Sequence, residues 1–215
     1  MKKTLTMLCL VLLCSAALVA QNGIRTVRTP EKSEMRVPGP MPELNMQGIC
    51  SNLGTRTDIY NDTAGFTVSG PNSSGGKTQW DAFQIKCYKS GTLYEIDAAV
   101  LYSSGGNQVN LSLYSDNNGA VGTLLVGPIT VTGLGKAGTC CTLARATLSS
   151  TFSITADTKY WIEADTPTSG TGSDFSGIWY FLPTTPLNSS NTGTGWSSFN
   201  GYEQQPAARL LGTIP

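Results

Sequence analysis

Apolar and polar side chains alternate along this chain in short stretches, and turn-forming residues separate one stretch from the next. Between Trp80 and Cys87, the side chains of Phe83, Ile85 and Cys87 fall on one face. Between Tyr94 and Tyr102, the shared face carries Tyr94, Ile96, Ala98, Val100 and Tyr102, while Glu95 and Asp97 look the other way. Val109, Leu111 and Leu113 alternate with Asn110, Ser112 and Tyr114. Residues 124–131, 141–148, 160–164, 177–182 and 208–214 continue the series. A period of two places apolar groups on one side of a sheet and polar groups on the other. No stretch keeps a helical period, and no repeat of about 20–50 residues marks a solenoid or propeller. The pattern predicts an all-β, antiparallel two-sheet sandwich over residues 47–215. The small polar run from Asn188 to Gly195 predicts a mobile surface loop.

The N-terminus places this domain outside the cytoplasm. Lys2 and Lys3 precede an apolar run from Leu5 to Leu13, then small residues lead to Ala20. That order is the layout of a secretory signal peptide over residues 1–20. The run falls short of the roughly 20 apolar residues that span a bilayer, so the mature chain is expected to have no membrane span. Residues 21–46 hold Pro30, Pro38, Pro40 and Pro42 with no hydrophobic period, which predicts a disordered, Pro-rich leader. The expected location is secreted, extracellular or periplasmic.

Composition removes several function classes. The sequence has no histidine, so no imidazole can act as base, shuttle or metal ligand. Lys and Arg number 14, equal to Asp and Glu, and no basic cluster offers a footprint for phosphates. Nucleic acid is therefore not an expected partner. Cys9 and Cys14 leave with the signal, and Cys50, Cys87, Cys140 and Cys141 remain as disulfide candidates in an oxidising compartment. Three pairings are open. Adjacent strand residues point to opposite faces, so Cys140 and Cys141 are expected each to reach a distant partner, giving two long-range bridges. No pair has the spacing of a zinc site, and neither a metal nor a cofactor is expected.

The segment Leu111-Ser112-Leu113-Tyr114-Ser115-Asp116-Asn117-Asn118-Gly119-Ala120-Val121-Gly122-Thr123-Leu124-Leu125 reads as strand, turn and strand. Together with Thr155-Ala156-Asp157-Thr158-Lys159-Tyr160-Trp161-Ile162 it resembles the choice-of-anchor modules of secreted bacterial proteins, in particular the R type. The resemblance covers roughly residues 75–215. It implies a jelly-roll-like sandwich displayed outside the cell, without established catalysis or an agreed ligand. Such chains often end in an anchoring tail. Here no hydrophobic tail or basic terminus follows the last strand, which predicts a released, periplasmic or non-covalently held product.

Candidate sites follow from residue chemistry. Asp116, Asn117 and Asn118 offer oxygen ligands, yet they lack the spacing of a calcium loop and suit an ordinary turn. Glu95-Ile96-Asp97 has Val100 where a glycosidase strand would need its further acid, so it reads as a solvated face. Glu163 and Asp165 share a strand face beside Trp161, and two close carboxylates perturb each other's ionisation. They too read as a polar outer face, carrying a half-covered Trp. Trp80, Trp161, Trp179 and Trp196 are candidate sugar platforms. Trp179 lies in too apolar a run to be exposed. Trp196 sits in a Gly/Ser segment followed by Phe199 and Tyr202, so these three are the candidate ligand-binding residues. The expectation is a non-enzymatic, secreted or cell-surface module with a structural or adhesive role. The alternative is a carbohydrate-binding module built around Trp196. Its partner is a cell-surface glycan or protein.

Overall fold

The computed structural model describes residues 45–53, 65–139, 142–182, 188–199 and 205–215. The expected signal peptide, residues 1–20, and nearly all of the expected leader, residues 21–46, lie outside these residues. Every element among the described residues is a strand, and all strand pairs are antiparallel. No helix among them is long and apolar enough to cross a membrane.

The strands are β1 (Gln47–Ser51), β2 (Gly65–Ser69), β3 (Trp80–Lys86), β4 (Gly91–Ala98), β5 (Val100–Ser104), β6 (Gln108–Asn117) and β7 (Ala120–Thr132). They continue with β8 (Ala144–Ile154), β9 (Lys159–Asp165), β10 (Ser176–Leu182), β11 (Asn188–Asn191), β12 (Trp196–Phe199), β13 (Gln205–Pro206) and β14 (Ala208–Thr213). One sheet runs β1-β14-β4-β8, a second centres on β10 with β2, β5 and β13, and a third runs β12-β11-β3-β9-β6-β7.

The first two sheets form one bent layer. Expected as a single strand, residues 94–102 break at Ala99, where β4 leaves the first sheet and β5 enters the second. Ala207 makes the same corner between β13 and β14. The corners are stitched together: Ala99 N donates to Ala207 O (2.9 Å), Ala207 N to Tyr180 O (2.8 Å) and Tyr180 N to Ala99 O (3.1 Å). Ala98-Ala99-Val100 is apolar throughout, so the alternation carries no sign of the break. The bent layer and the six-stranded sheet enclose the core, with Phe83, Leu93, Ile96, Leu111, Ile162 and Trp179 fully buried. The Trp179 indole meets Phe83 edge-on at 5.5 Å and donates to Ala207 O (3.0 Å). The sandwich expected from the alternation is present.

Three local expectations change. Asn188–Asn191 is not a loop but a strand between β3 and β12. Its backbone supplies the pairing whatever its side chains, and Asn191 Oδ1 accepts from Gly193 N (2.8 Å) and Gly195 N (3.1 Å) to close the turn into β12. Cys50 bonds to Cys87, tying β1 to the end of β3. This overturns the pairing in which Cys140 and Cys141 each reach one of those two; both lie outside the described residues. Glu95 and Asp97 are buried rather than solvated, because Arg145 on β8 and Arg209 on β14 stand directly across from Asp97.

The hairpin between β6 and β7 follows the expected turn chemistry. Asn118 (φ 52°) and Gly119 (φ 86°) are both left-handed, as a two-residue hairpin loop of the mirror-image type requires. Asp116 accepts from Gly119 N (3.2 Å), so this carboxylate fastens the turn.

Candidate functional site

The face of the six-stranded sheet turned away from the core is buried at its centre and exposed toward its edges. Register places its side chains in rows that cross the strands. The first row is Trp196, Asn191 and Trp80, continued by Asp165, Asn110 and Thr130. The second is Ser198, Ser189, Ala82, Glu163 and Ser112. The third is Gln84, Trp161, Tyr114 and Leu124. Lys86 and Lys159 follow in the fourth.

A flat six-stranded sheet would hold its edge strands about 24 Å apart, five steps of about 4.8 Å. Here the edge strands β12 and β7 come within 8 Å, Cα to Cα. The sheet is therefore strongly curled. Ala82 and Trp161 are buried without belonging to the main core cluster, and Ser189 is buried in the same face. The concave side is thus this polar face. Bulges in β7 help it close. Gly127 (φ 101°) passes over β6 so tightly that an added Cβ would lie 2.9 Å from Leu111 O and 3.0 Å from Ser112 Oγ.

Part of this face is fully satisfied. Asp116 Oδ1 accepts from Gln84 Nε2 (2.6 Å) and Trp161 Nε1 (2.8 Å). Trp80 Nε1 donates to Thr166 Oγ1 (3.0 Å), and Thr130 Oγ1 donates to Asn110 Oδ1 (2.8 Å). The centre differs. Glu163, 2% exposed, has Ala82 and Ser112 as its cross-strand neighbours. Glu163 Oε2 and Asp165 Oδ1 are buried without a hydrogen-bond partner. Burial first, then the neighbouring Asp165 carboxylate, pushes the Glu163 carboxyl up to about 8, against the opposing pull of the Tyr114 and Ser112 side chains. Burial raises Asp165 to about 6 against the pull of Asn110. The Tyr114 phenol is raised as well, by burial and then by Glu163. Among the described residues no Lys or Arg pairs with either acid.

These positions correct the expected solvated face: Glu163 is buried, Asp165 mostly so, and Trp161 is fully covered rather than half-covered. Of the four candidate platforms, Trp161 and Trp179 are 0% exposed, whereas Trp80 and Trp196 are half-buried and share the first row. Trp196 belongs to β12 rather than to a loop. Phe199 pairs with Asn188 through its backbone, its side chain lies outside the described residues, and so does Tyr202. Sequence reasoning missed Asn191, Ser112 and Tyr114 as companions of Glu163. Their common parity along each strand was visible, but the register that joins the strands was not.

Chemically, this face can stack a ring against indole and offer carboxylate, amide and hydroxyl oxygens beside it. Both carboxyls keep their protons to higher pH than ordinary carboxylates, Glu163 more so than Asp165. No group of three or more acidic or cysteine side chains among the described residues is arranged to hold a metal ion. No protein-family model and no curated protein sequence matches this chain.

Proposed function

We propose that this chain is an exported, non-catalytic adhesive module that binds saccharide on the concave face of its six-stranded sheet. The row Trp196, Asn191, Trp80, Asp165 and Asn110 carries the reading. Two half-buried indoles lie two strand steps apart, about 10 Å, with hydrogen-bonding side chains between and beside them. A pyranose has an apolar face that stacks on a π-system and a rim of hydroxyls that needs such partners. The indole of Trp80 is fixed by Thr166, which lowers the ordering cost of binding. The apolar-run signal, the Cys50–Cys87 bond and the resemblance to choice-of-anchor modules support display outside the cell.

A glycan array followed by titration calorimetry tests this. Trp196→Ala and Trp80→Ala are expected each to weaken binding by about tenfold or more, as loss of an aromatic anchor does. Incubation of a bound polysaccharide is expected to release no reducing ends. Binding untouched by both substitutions removes the platform, and Glu163-dependent release of reducing ends removes the non-catalytic part.

A further inference from the structure

The loop that joins β2 to β3 brings one positive charge to the edge of the platform row. Its backbone is held along its length. Ser69 and Gln79 exchange both backbone hydrogen bonds (2.8 and 2.9 Å), Asn72 N donates to Ser173 O (2.9 Å), and Ser69 Oγ donates to Lys77 O (2.7 Å). The Lys77 side chain is exposed and lines two cavities. The first, about 360 Å³, is bounded by Pro71, Thr78, Gln79 and Thr192. The second, about 410 Å³, has Phe66 as an aromatic wall with the hydroxyls of Thr67, Ser73 and Ser176 around it. Both volumes fall within the range of small-ligand sites, about 300–1,000 Å³. Among the described residues, Lys77 is the one charged side chain lining either cavity, and it forms no ion pair. The cavity at the far end of β3 differs, since its Lys86 and Lys159 are balanced by Asp116 and Asp157.

We infer that Lys77 receives the anionic group, carboxylate or sulfate, of an acidic saccharide whose ring rests against Trp80. The inference deepens the saccharide reading and rests on it. Lys77 precedes Trp80 by three residues, at most about 10 Å of chain. Thr192, in the wall of the first cavity, directly follows Asn191 of the platform row. A Cβ added at Gly193 would lie 3.7 Å from that of Thr78, so the β2–β3 loop and the β11–β12 turn meet there. The cavity therefore lies beside the row, on the β11 side of Trp80. Asp165 stands on the opposite side, on β9, and the two charges give the row a polarity that turns an anionic substituent toward Lys77. A carboxylate or sulfate offers the ammonium both a charge and several acceptor lone pairs, and charge-assisted bonds of this kind are shorter and stronger than neutral ones. A sugar hydroxyl brings no charge. Because the loop backbone is already held, binding orders little more than the lysine side chain. A single ammonium suits one anionic substituent on a stacked ring, whereas a nucleic acid needs a footprint of several cations.

The test is calorimetric titration of the full chain at pH 7 and low salt with two matched pairs and a control polymer. The pairs are a galacturonic acid tetramer with its neutral methyl ester, and a sulfated galactose tetramer with its unsulfated parent; the polymer is polyglutamate. In at least one pair the acidic member is expected to bind about threefold to tenfold tighter than its neutral counterpart, and the pair that responds identifies the anionic group. Raising the salt to about 0.5 M is expected to shrink that preference. Lys77→Gln is expected to erase it while leaving the neutral tetramers within about twofold, whereas Lys89→Gln, beyond the far end of β3, leaves it intact. Lys77 is exposed, so its variant is expected to melt with the wild type. Equal binding within both pairs, or a preference that survives Lys77→Gln, overturns the assignment while the saccharide reading stands. Polyglutamate binding as tightly as the acidic tetramers overturns the saccharide source of the anion. Absence of binding to every saccharide, here and on the glycan array, overturns both readings.

Discussion

Strands β4 and β9 each carry a glutamate and an aspartate flanking one apolar residue, Glu95-Ile96-Asp97 and Glu163-Ala164-Asp165. The fold treats them in opposite ways. Asp97 is 0% exposed and has an arginine across from it on either side. Arg145 reaches it with Nε at 2.9 Å and Nη2 at 3.1 Å, and Arg209 with Nε at 3.0 Å and Nη2 at 2.8 Å. Arg145 also lies 3.3 Å from Glu95. The acids of β4 thus have cations within reach in the fold, although Glu95 Oε2 accepts no hydrogen bond. The acids of β9 have alanine, serine and asparagine as strand neighbours and no cation. The same local pattern is ion-paired in one sheet and, among the described residues, without a cation in the other. Cross-strand neighbours decide which, because pairs across strands are the unit of sheet energetics.

The largest expected effect tests the tie. Replacing both Arg145 and Arg209 by alanine strands a fully buried carboxylate. Such a loss costs about 3–5 kcal/mol, read as a lower urea midpoint at unchanged slope. A cost below about 1 kcal/mol would mean that Asp97 is solvated in practice, and the contrast with β9 would lapse.

The reciprocal change at the other pair should have the opposite sign. Glu163→Gln is expected to stabilise the free protein at pH 8.5 by about 1–3 kcal/mol, the range for relieving an unmatched buried group, and to change little at pH 5. The sign follows from linkage. The folded glutamate binds its proton up to about pH 8 and the unfolded one only to about 4.5, so its favourable contribution is present at low pH. That contribution fades as pH rises through the interval. Asp165, Tyr114, Ser112 and Asn110 are the polar groups facing it, and none brings a positive charge. Asp81 works in the same direction: burial raises it to about 7 against the pull of the Gln79 amide. The wild-type midpoint should therefore fall from pH 5 to pH 8.5, and the variant should fall less. Parallel curves would show that Glu163 is not buried as a free acid.

Asp165→Asn should give a smaller gain that appears earlier in pH. Its carboxyl is raised only to about 6 and it lies nearer the open side of the face. Its gain should be complete near pH 7, whereas that of Glu163→Gln is still growing. Thermal melts at half-unit pH steps separate the two. Identical profiles would mean that the pair titrates as a unit.

The alternation of side chains was enough to find β3, β6, β9, β10 and β14, since each buries one face against the core. It was silent where a stretch is apolar on every side or polar on every side. β11 has only Asn and Ser to show, and its place beside β3 comes from backbone pairing. The β4–β5 corner passes through residues that are apolar on every side. For the site, each half was legible separately: two acids of one parity on β9, and polar residues of one parity on β6. Their meeting required a register between residues 51 apart, Ser112 and Glu163, and the curl that takes the face out of water. Neither is written in local periodicity. The same blindness explains why the acids of β4 and β9 received the same reading.

Lys86 and Asp157 supply the smallest effect and a lower bound for the comparison. Their ion pair spans 2.9 Å, as close as any contact that Asp97 makes through Arg145, yet the side chains are 42% and 77% exposed. The Asp157 partner holds the Lys86 ammonium above its ordinary range, through hydrogen bonding first and charge second. In water both ions are nearly as well solvated apart as together, and salt screens what attraction remains. Lys86→Ala is therefore expected to leave the urea midpoint unchanged within error at 0.15 M salt. Distance is equal in the two pairs and only solvent access differs, so the ratio of the two effects measures what burial adds to a charge contact in this sandwich. A loss at Lys86 comparable to that of the Arg145 and Arg209 double variant would show that proximity rather than burial sets the strength of these ties, and the contrast between β4 and β9 would then need another cause.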